Sequence, residues 1–246
     1  MRKIVGILLS AVFILTFAAC HNGGSREEYE AYIESNELIH HVDDTPIDDD
    51  PPPFESTEKP VIKTGIFVDL ASSERNEEIT HIVLHFISNV IENRVAPYII
   101  EDIQRIFQDY GVSAHYIIDR DGTIHLAVPE DQVAFHAGAG TLADFPEYEN
   151  NLNQHSIGIE LLGIGTQEEM SLYLTASAYN ALDPALIGFT DAQYDSLNWL
   201  LHDILARHPS IHPNRTHIIG HSEYNPSKVD PGALFEWDRL DFMSGS

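Results

Sequence analysis

The stretch HYIIDRDGTIHLAV, residues 115–128, carries two short apolar runs on either side of Asp121-Gly122. An Asp-Gly pair between such runs is a hairpin signal, because the turn needs residues that tolerate positive φ. The stretch therefore predicts two antiparallel strands. Further out, ITHIVLHFI (79–87), SIGIELLG (156–163) and THIIG (216–220) are rich in apolar and β-branched residues and read as more strands. Two helices stand out. Pro97 to Tyr110 opens on proline, carries Glu101 and Asp102 early and stops at Gly111, with Ile99, Ile103, Ile106 and Tyr110 at helical spacing. The second opens with Thr190 and Gln193, a capping-box pair. Tyr194, Leu197, Leu201 and Ile204 form its apolar face, and Arg207 and His208 fall near its negative end. Strands and helices mix without regular βαβ alternation. The expected fold class is α/β, a mixed central β-sheet with helices packed on it. Residues 164–189 are long for a connection and read as a flap or a cleft wall. There is no internal repeat.

The 246 residues suit one enzyme-sized domain plus extras, and 43% apolar content is enough for a core. The formal net charge is −26. Nucleic acid as a partner is excluded on this ground, since phosphates demand Lys/Arg neutralisation; anionic membrane surfaces are disfavoured likewise. One cysteine allows no internal disulfide. That cysteine, Cys20, ends a leader: Arg2 and Lys3 precede a short apolar run, Ile4 to Phe17, and then Ala18-Ala19. The run is short for a membrane span and ends in small residues. It reads as a secretory signal peptide (1–20) whose end resembles a bacterial lipobox, with Cys20 as the lipid-modified first residue of the mature chain. Residues 21–62 hold twelve acidic residues against Arg26 and Lys59, with clustered prolines, and read as an acidic Pro-rich tether. A short helix over Tyr29–Ile39 is an expectation within it. Asp48–Asp50 reads as solvated linker rather than a calcium site. The folded domain is expected over 63–246.

Histidines number 14. His85 ends the strand HIVLHF, with His81 four residues earlier on the same strand face. His221 ends HIIGH, and strand ends are where sheet-based sites lie. Asp230 follows in the loop GHSEYNPSKVDPG (220–232). Two imidazoles and one carboxylate make a catalytic zinc set with a fourth position open. Equally, a lone strand histidine is a hydrogen-bonded core residue, and there is no HExxH or CxxC to decide between them. Glu160, in the apolar IGIELL, is costly to bury unless it has a partner or a task. Lys228, the only lysine after Lys63, is on spacing alone a solvated loop residue.

The ordered set IVLHF, SAHYIIDRDGTIHLAV, FHAG, SIGIELLG, DAQYDSLNWLL and GHSEYNPSKVDPG resembles the zinc-dependent N-acetylmuramoyl-L-alanine amidases, the superfamily of muropeptide amidases, phage amidase-type lysozymes and peptidoglycan recognition proteins. The resemblance covers about residues 79–238. It implies a peptidoglycan recognition protein-like amidase fold with Zn2+ held by His85, His221 and Asp230. It implies Glu160 as general base and Lys228 as the cation that stabilises the oxyanion. His136 matches the histidine of the family's WHAG, with Phe135 replacing Trp; His136 and His115 are expected to line the cleft and contact substrate. His81, His125, His155, His202, His208, His212 and His217 read as structural or exposed. Ser88 is shifted by one relative to the family's hydroxyl, and NPSKVDPG lacks the arginine before the lysine. These departures bear on substrate contacts, not on ligands. The implied activity is hydrolysis of the amide between N-acetylmuramic acid and L-alanine in peptidoglycan or muropeptides. The leader, not the resemblance, gives the expected setting: extracytoplasmic in the cell envelope, membrane-anchored through lipid on Cys20; the chain is expected to be a monomer. The alternative is a non-catalytic peptidoglycan-binding module, whose members typically lose a ligand.

Overall fold

The computed structural model describes residues 59–243. The leader, the helix expected over Tyr29–Ile39 and nearly all of the tether lie outside the described residues. Among the described residues no helix is long and apolar enough to cross a membrane.

Eight strands form. They are β1 (Ile62–Lys63), β2 (Ser72–Glu74), β3 (His81–Ile87), β4 (Tyr116–Ile118), β5 (Ile124–Leu126), β6 (Gln132–Ala134), β7 (Ser156–Leu162) and β8 (Ile218–Gly220). The main sheet runs β1-β5-β4-β7-β3-β8. Only the β4/β5 hairpin is antiparallel; the other four neighbour pairs are parallel. The mixed sheet is thus as expected, and the hairpin is its source. Gly122 makes the turn at φ 84°, and a Cβ there would stand 2.7 Å from the Ala192 carbonyl oxygen. Glycine is required both for the positive φ and for the close approach of a helix. β3 and β7 are central and apolar because parallel strands are covered on both faces. Their register sets His85 beside Glu160. A second, two-stranded sheet, β2 with β6, was not foreseen: SSE and QVA are too short and polar to read as strands.

Among the described residues four α-helices accompany the sheet: α1 (Ile100–Tyr110), α2 (Ala176–Asn180), α3 (Asp191–Arg207) and α4 (His221–Tyr224). Helix α1 starts three residues later than Pro97, because Ile99 is extended, and it stops at Gly111 in the left-handed cap. Its buried residues are Ile103 and Phe107; Tyr110, expected on that face, is 72% exposed. Helix α3 has the Thr190–Gln193 capping box, and buries Tyr194, Leu197, Leu201 and Ile204 as its spacing predicts. Residues 164–189 do not hang free. Ile164, Met170, Leu174 and Leu182 pack with Val90 into a separate apolar cluster.

His81 opens β3 and is fully buried. Its ring stacks on His217, meets Phe145 and Tyr148 edge-on, and leaves Nε2 without a hydrogen-bond partner. Burial, and after it the nearby His217, pushes the ring down to about 4. An unfolded histidine titrates near about 6.5, so between these values unfolding takes up a proton. This contribution to stability is complete above about pH 6.5 and is lost as pH falls towards 4. Urea midpoints at pH 7.5 and pH 5 should therefore fall less for His81→Leu than for the unsubstituted chain. Equal falls would contradict this reading of the ring.

Candidate metal centre

Three chain segments deliver three side chains to one end of the sheet. His85 is the fifth residue of β3 and is 2% exposed. His221 is the first residue of α4, directly after β8. Asp230 lies on the following loop, which folds back so that the Ser222 N–H donates to the Asp230 carbonyl (3.0 Å). A Cβ on Gly220 would sit 2.6 Å from Pro231 Cδ, so glycine is what lets the loop return this closely. The far side of the loop is tied by Glu169, whose Oε1 accepts from the Ala233 N–H (2.7 Å). The long 164–189 segment thus braces the loop that carries Asp230.

Asp230 Oδ2 stands 2.7 Å from His85 Nδ1 and 3.0 Å from His221 Nδ1, and the two nitrogens are 3.1 Å apart. Proton bookkeeping on the opposite ring nitrogens shows what this triangle is. His221 Nε2 lies 2.9 Å from the Ala137 carbonyl oxygen, which can only accept, so Nε2 carries the hydrogen. For His85 the chain is longer. The Ser156 hydroxyl donates to the Leu152 carbonyl (2.7 Å), so its oxygen accepts from His136 Nε2–H (3.2 Å). His136 Nδ1 then accepts from His85 Nε2–H (3.1 Å). Both Nδ1 atoms in the neutral rings are consequently lone pairs. They face each other and a carboxylate oxygen, with no proton to share.

Burial pushes the His85 imidazole below its ordinary value, which favours the neutral ring, although Asp230 pulls the other way. Burial alone would raise the Asp230 carboxyl; positive charge and hydrogen-bond donors on the His221 and His85 side hold it well below the carboxylate range, and with both nitrogens bare that positive charge is the part left to a bound cation. Neutral imidazoles and an ionised carboxylate are the protonation states that a cation requires of its ligands. Among the described residues these three form the one group of His, Cys, Asp or Glu whose ligand atoms gather closely enough to hold a metal ion.

Glu160 is the cross-strand neighbour of His85, and its Oε2 is buried without a hydrogen-bond partner. Burial, then the negative Asp230, pushes this carboxyl well above its ordinary value, while Lys228 draws it back. Lys228 is exposed, on the same loop as Asp230, and near enough to act on both Glu160 and His85.

His115 and His136 have surroundings other than the cleft lining expected of them. Both are buried. His115 Nδ1 accepts from the Gly158 N–H (3.0 Å), and its Nε2 meets Arg75 and the Gln132 carbonyl. His136 spans His85 and Ser156. The physical reason is the strand end: β7 runs beneath both rings and encloses them. His81, although on the same strand as His85, belongs to the separate aromatic cluster. Sequence reading missed Arg75, whose guanidinium donates to the carbonyls of Glu130, Asn153, Gln132 and Ser156. An arginine within SERNEE carries no signal that distinguishes it from a solvated charge. Asn153 and Ser156 were missed for the same reason.

Known proteins share this arrangement's sequence. A family model described as N-acetylmuramoyl-L-alanine amidase matches residues 75–233, a span that includes His85, Glu160, His221, Lys228 and Asp230. The chain is 32% identical over 155 residues to the 1,6-anhydro-N-acetylmuramyl-L-alanine amidase AmpD of Haemophilus influenzae, covering 63% of this chain and 67% of that one. To the protein of the same description from Salmonella typhimurium it is 36% identical over 130 residues, covering 52% and 55%. It therefore spans little more than half the length of that relative. Among solved structures, a selenomethionine AmpD derivative superposes with a TM-score of 0.50 at 26% identity, over 75% of this chain and 94% of that chain.

A cation that binds only the folded triangle should stabilise the fold by mass action. Adding a divalent transition metal to chelator-treated protein should raise Tm, and Asp230→Ala should abolish the rise. A Tm that ignores metal in the unsubstituted chain would contradict the assignment.

Proposed function

This chain belongs to the N-acetylmuramoyl-L-alanine amidase family, and on that premise we propose that it is a zinc-dependent hydrolase. The bond cut is the amide between the lactyl group of N-acetylmuramic acid and L-alanine, in peptidoglycan or muropeptides. The observation that carries this reading is the triangle of bare donor atoms beside the buried, unpartnered carboxylate oxygen of Glu160.

Two imidazoles and a carboxylate suit zinc with a position left open. His85, His221 and Asp230 would hold the ion, which supplies Lewis-acid polarisation of the amide carbonyl and a lowered pKa for water. The remaining work falls to side chains. Glu160 takes a proton from the attacking water and returns it to the amine of L-alanine as the C–N bond breaks. Its raised affinity for protons suits both halves, since a carboxylate of ordinary pKa would accept weakly at neutral pH. Lys228 offers a fixed positive charge to the carbonyl oxygen as it becomes negative.

The cellular setting rests on the leader alone. Cleavage before Cys20 and acylation of that residue would anchor the chain in a bacterial envelope membrane, where one chain alone holds marginally. The acidic tether would then space the catalytic domain from the bilayer. The description of the curated relatives makes 1,6-anhydro-muropeptides the first substrates to try.

The test is digestion of purified muropeptides, with and without a zinc chelator, read by mass spectrometry. Free stem peptide beginning at L-alanine, formed only with zinc, is the expected product. Glu160→Ala should retain zinc and lose about 100- to 10,000-fold in kcat; His221→Ala should lose both zinc and turnover. Intact muropeptides bound to a zinc-loaded, folded chain would replace the amidase with a binding module. Normal turnover by Glu160→Ala would overturn its role as base.

A further inference from the structure

The two metal-facing histidines are oriented through one dipeptide. His136 accepts the His85 Nε2–H on its side chain, and Ala137 accepts the His221 Nε2–H on its backbone carbonyl. That dipeptide is pinned in turn. A single side-chain oxygen, Asn153 Oδ1, accepts from the N–H of His136 (3.2 Å) and of Ala137 (2.8 Å). Ser156 fixes the far nitrogen of the His136 ring. Gly158 gives the ring its seat, since a Cβ there would stand 2.4 Å from His136 Cγ. The short 3-10 turn Leu152–His155 that carries Asn153 is itself held by Arg75, which donates to the carbonyls of Asn153 (3.3 Å) and Gln154 (2.5 Å).

With the Ser156 hydroxyl hydrogen on the Leu152 carbonyl, at 2.7 Å against 3.2 Å to His136, each earlier link of the relay takes one direction. The chain then runs back to a bare Nδ1 on His85. We propose, resting on the metal-centre reading above, that His136 is a positioning residue that sets the tautomer and aim of His85, and that Asn153 holds the His136–Ala137 dipeptide for both histidines at once. Both His136 ring nitrogens are taken up, Nδ1 by His85 and Nε2 by Ser156, which leaves neither for an ion or a substrate. Its contribution is to remove the competing tautomer, in which His85 would present an N–H to the cation, and to fix the ring plane before the ion arrives. The same reasoning explains why a histidine expected at the cleft surface is buried.

A purely structural histidine would serve equally well as a space-filler, and two substitutions separate the roles. Leucine at 136 fills volume but accepts no hydrogen bond. Asparagine offers a side-chain oxygen near the place of Nδ1. Zinc affinity is measured on the full chain by competition with a chromophoric chelator, with Tm of the zinc-free protein recorded alongside. His136→Leu should bind zinc about 10- to 100-fold more weakly, and His136→Asn should recover most of that loss. Val133→Ala, which destabilises buried core outside the relay, should lower Tm and leave affinity unchanged. Asn153→Ala carries the same expectation as His136→Leu and stands in for it if the leucine variant does not fold. Zinc affinity of His136→Leu equal to that of the unsubstituted chain would overturn the proposal, as would an asparagine variant as weak as the leucine one. An unsubstituted chain with no zinc affinity would instead remove the metal centre, and all variants would then coincide.

Discussion

Lone pairs at close range repel. His85 Nδ1, His221 Nδ1 and Asp230 Oδ2 stand within 3.1 Å of one another, and the hydrogen bonds behind the two rings leave no proton among them. Such an arrangement in a low-dielectric setting is unfavourable by itself and becomes favourable only with a cation among the three atoms. The rest of the molecule is arranged to hold this unfavourable geometry. β3 supplies His85 from a strand covered on both faces, β8 ends where α4 begins with His221, and the loop returns Asp230 over Gly220.

The carboxylate next to the triangle follows from the same sheet. Parallel pairing of β3 with β7 puts Glu160 beside His85. Burial there raises its affinity for protons, which a surface glutamate would not have. The site therefore combines an anionic ligand that stays ionised and a second carboxylate that holds a proton readily, only a strand apart. Environments that push two carboxyl groups in opposite directions are what acid–base chemistry at neutral pH requires.

How much of this was legible in the sequence depended on whether a residue's task leaves a pattern along the chain. The hairpin at Asp121-Gly122, the capping box at Thr190 and the apolar strands around His85 and Glu160 are local signals, and the structure has them. Helix α1 was read correctly at Ile103 and Ile106 and wrongly at Tyr110, which keeps helical spacing yet lies at the last turn, where the chain leaves the core. The β2/β6 ribbon escaped notice because its strands are three residues each and pair across some sixty residues of sequence. The resemblance to the amidases singled out His85, His221, Asp230, Glu160 and Lys228, whose spacing alone left core and solvent readings open. Asn153, Ser156 and Arg75 were invisible: their roles are hydrogen bonds to backbone or to another ring, which no composition or period records. Likewise His136 was noticed for its motif and given the wrong surroundings, since burial at a strand end is a property of the assembled sheet.

The central claim is that a metal ion belongs at the point the three donor atoms face. The most direct measurement is a crystal structure of the zinc-supplemented protein with diffraction recorded on both sides of the zinc absorption edge. An anomalous peak bonded to His85 Nδ1, His221 Nδ1 and Asp230 Oδ2 at about 2.0–2.2 Å is the predicted result. Ordered density for all three side chains with no anomalous signal among them would contradict the account.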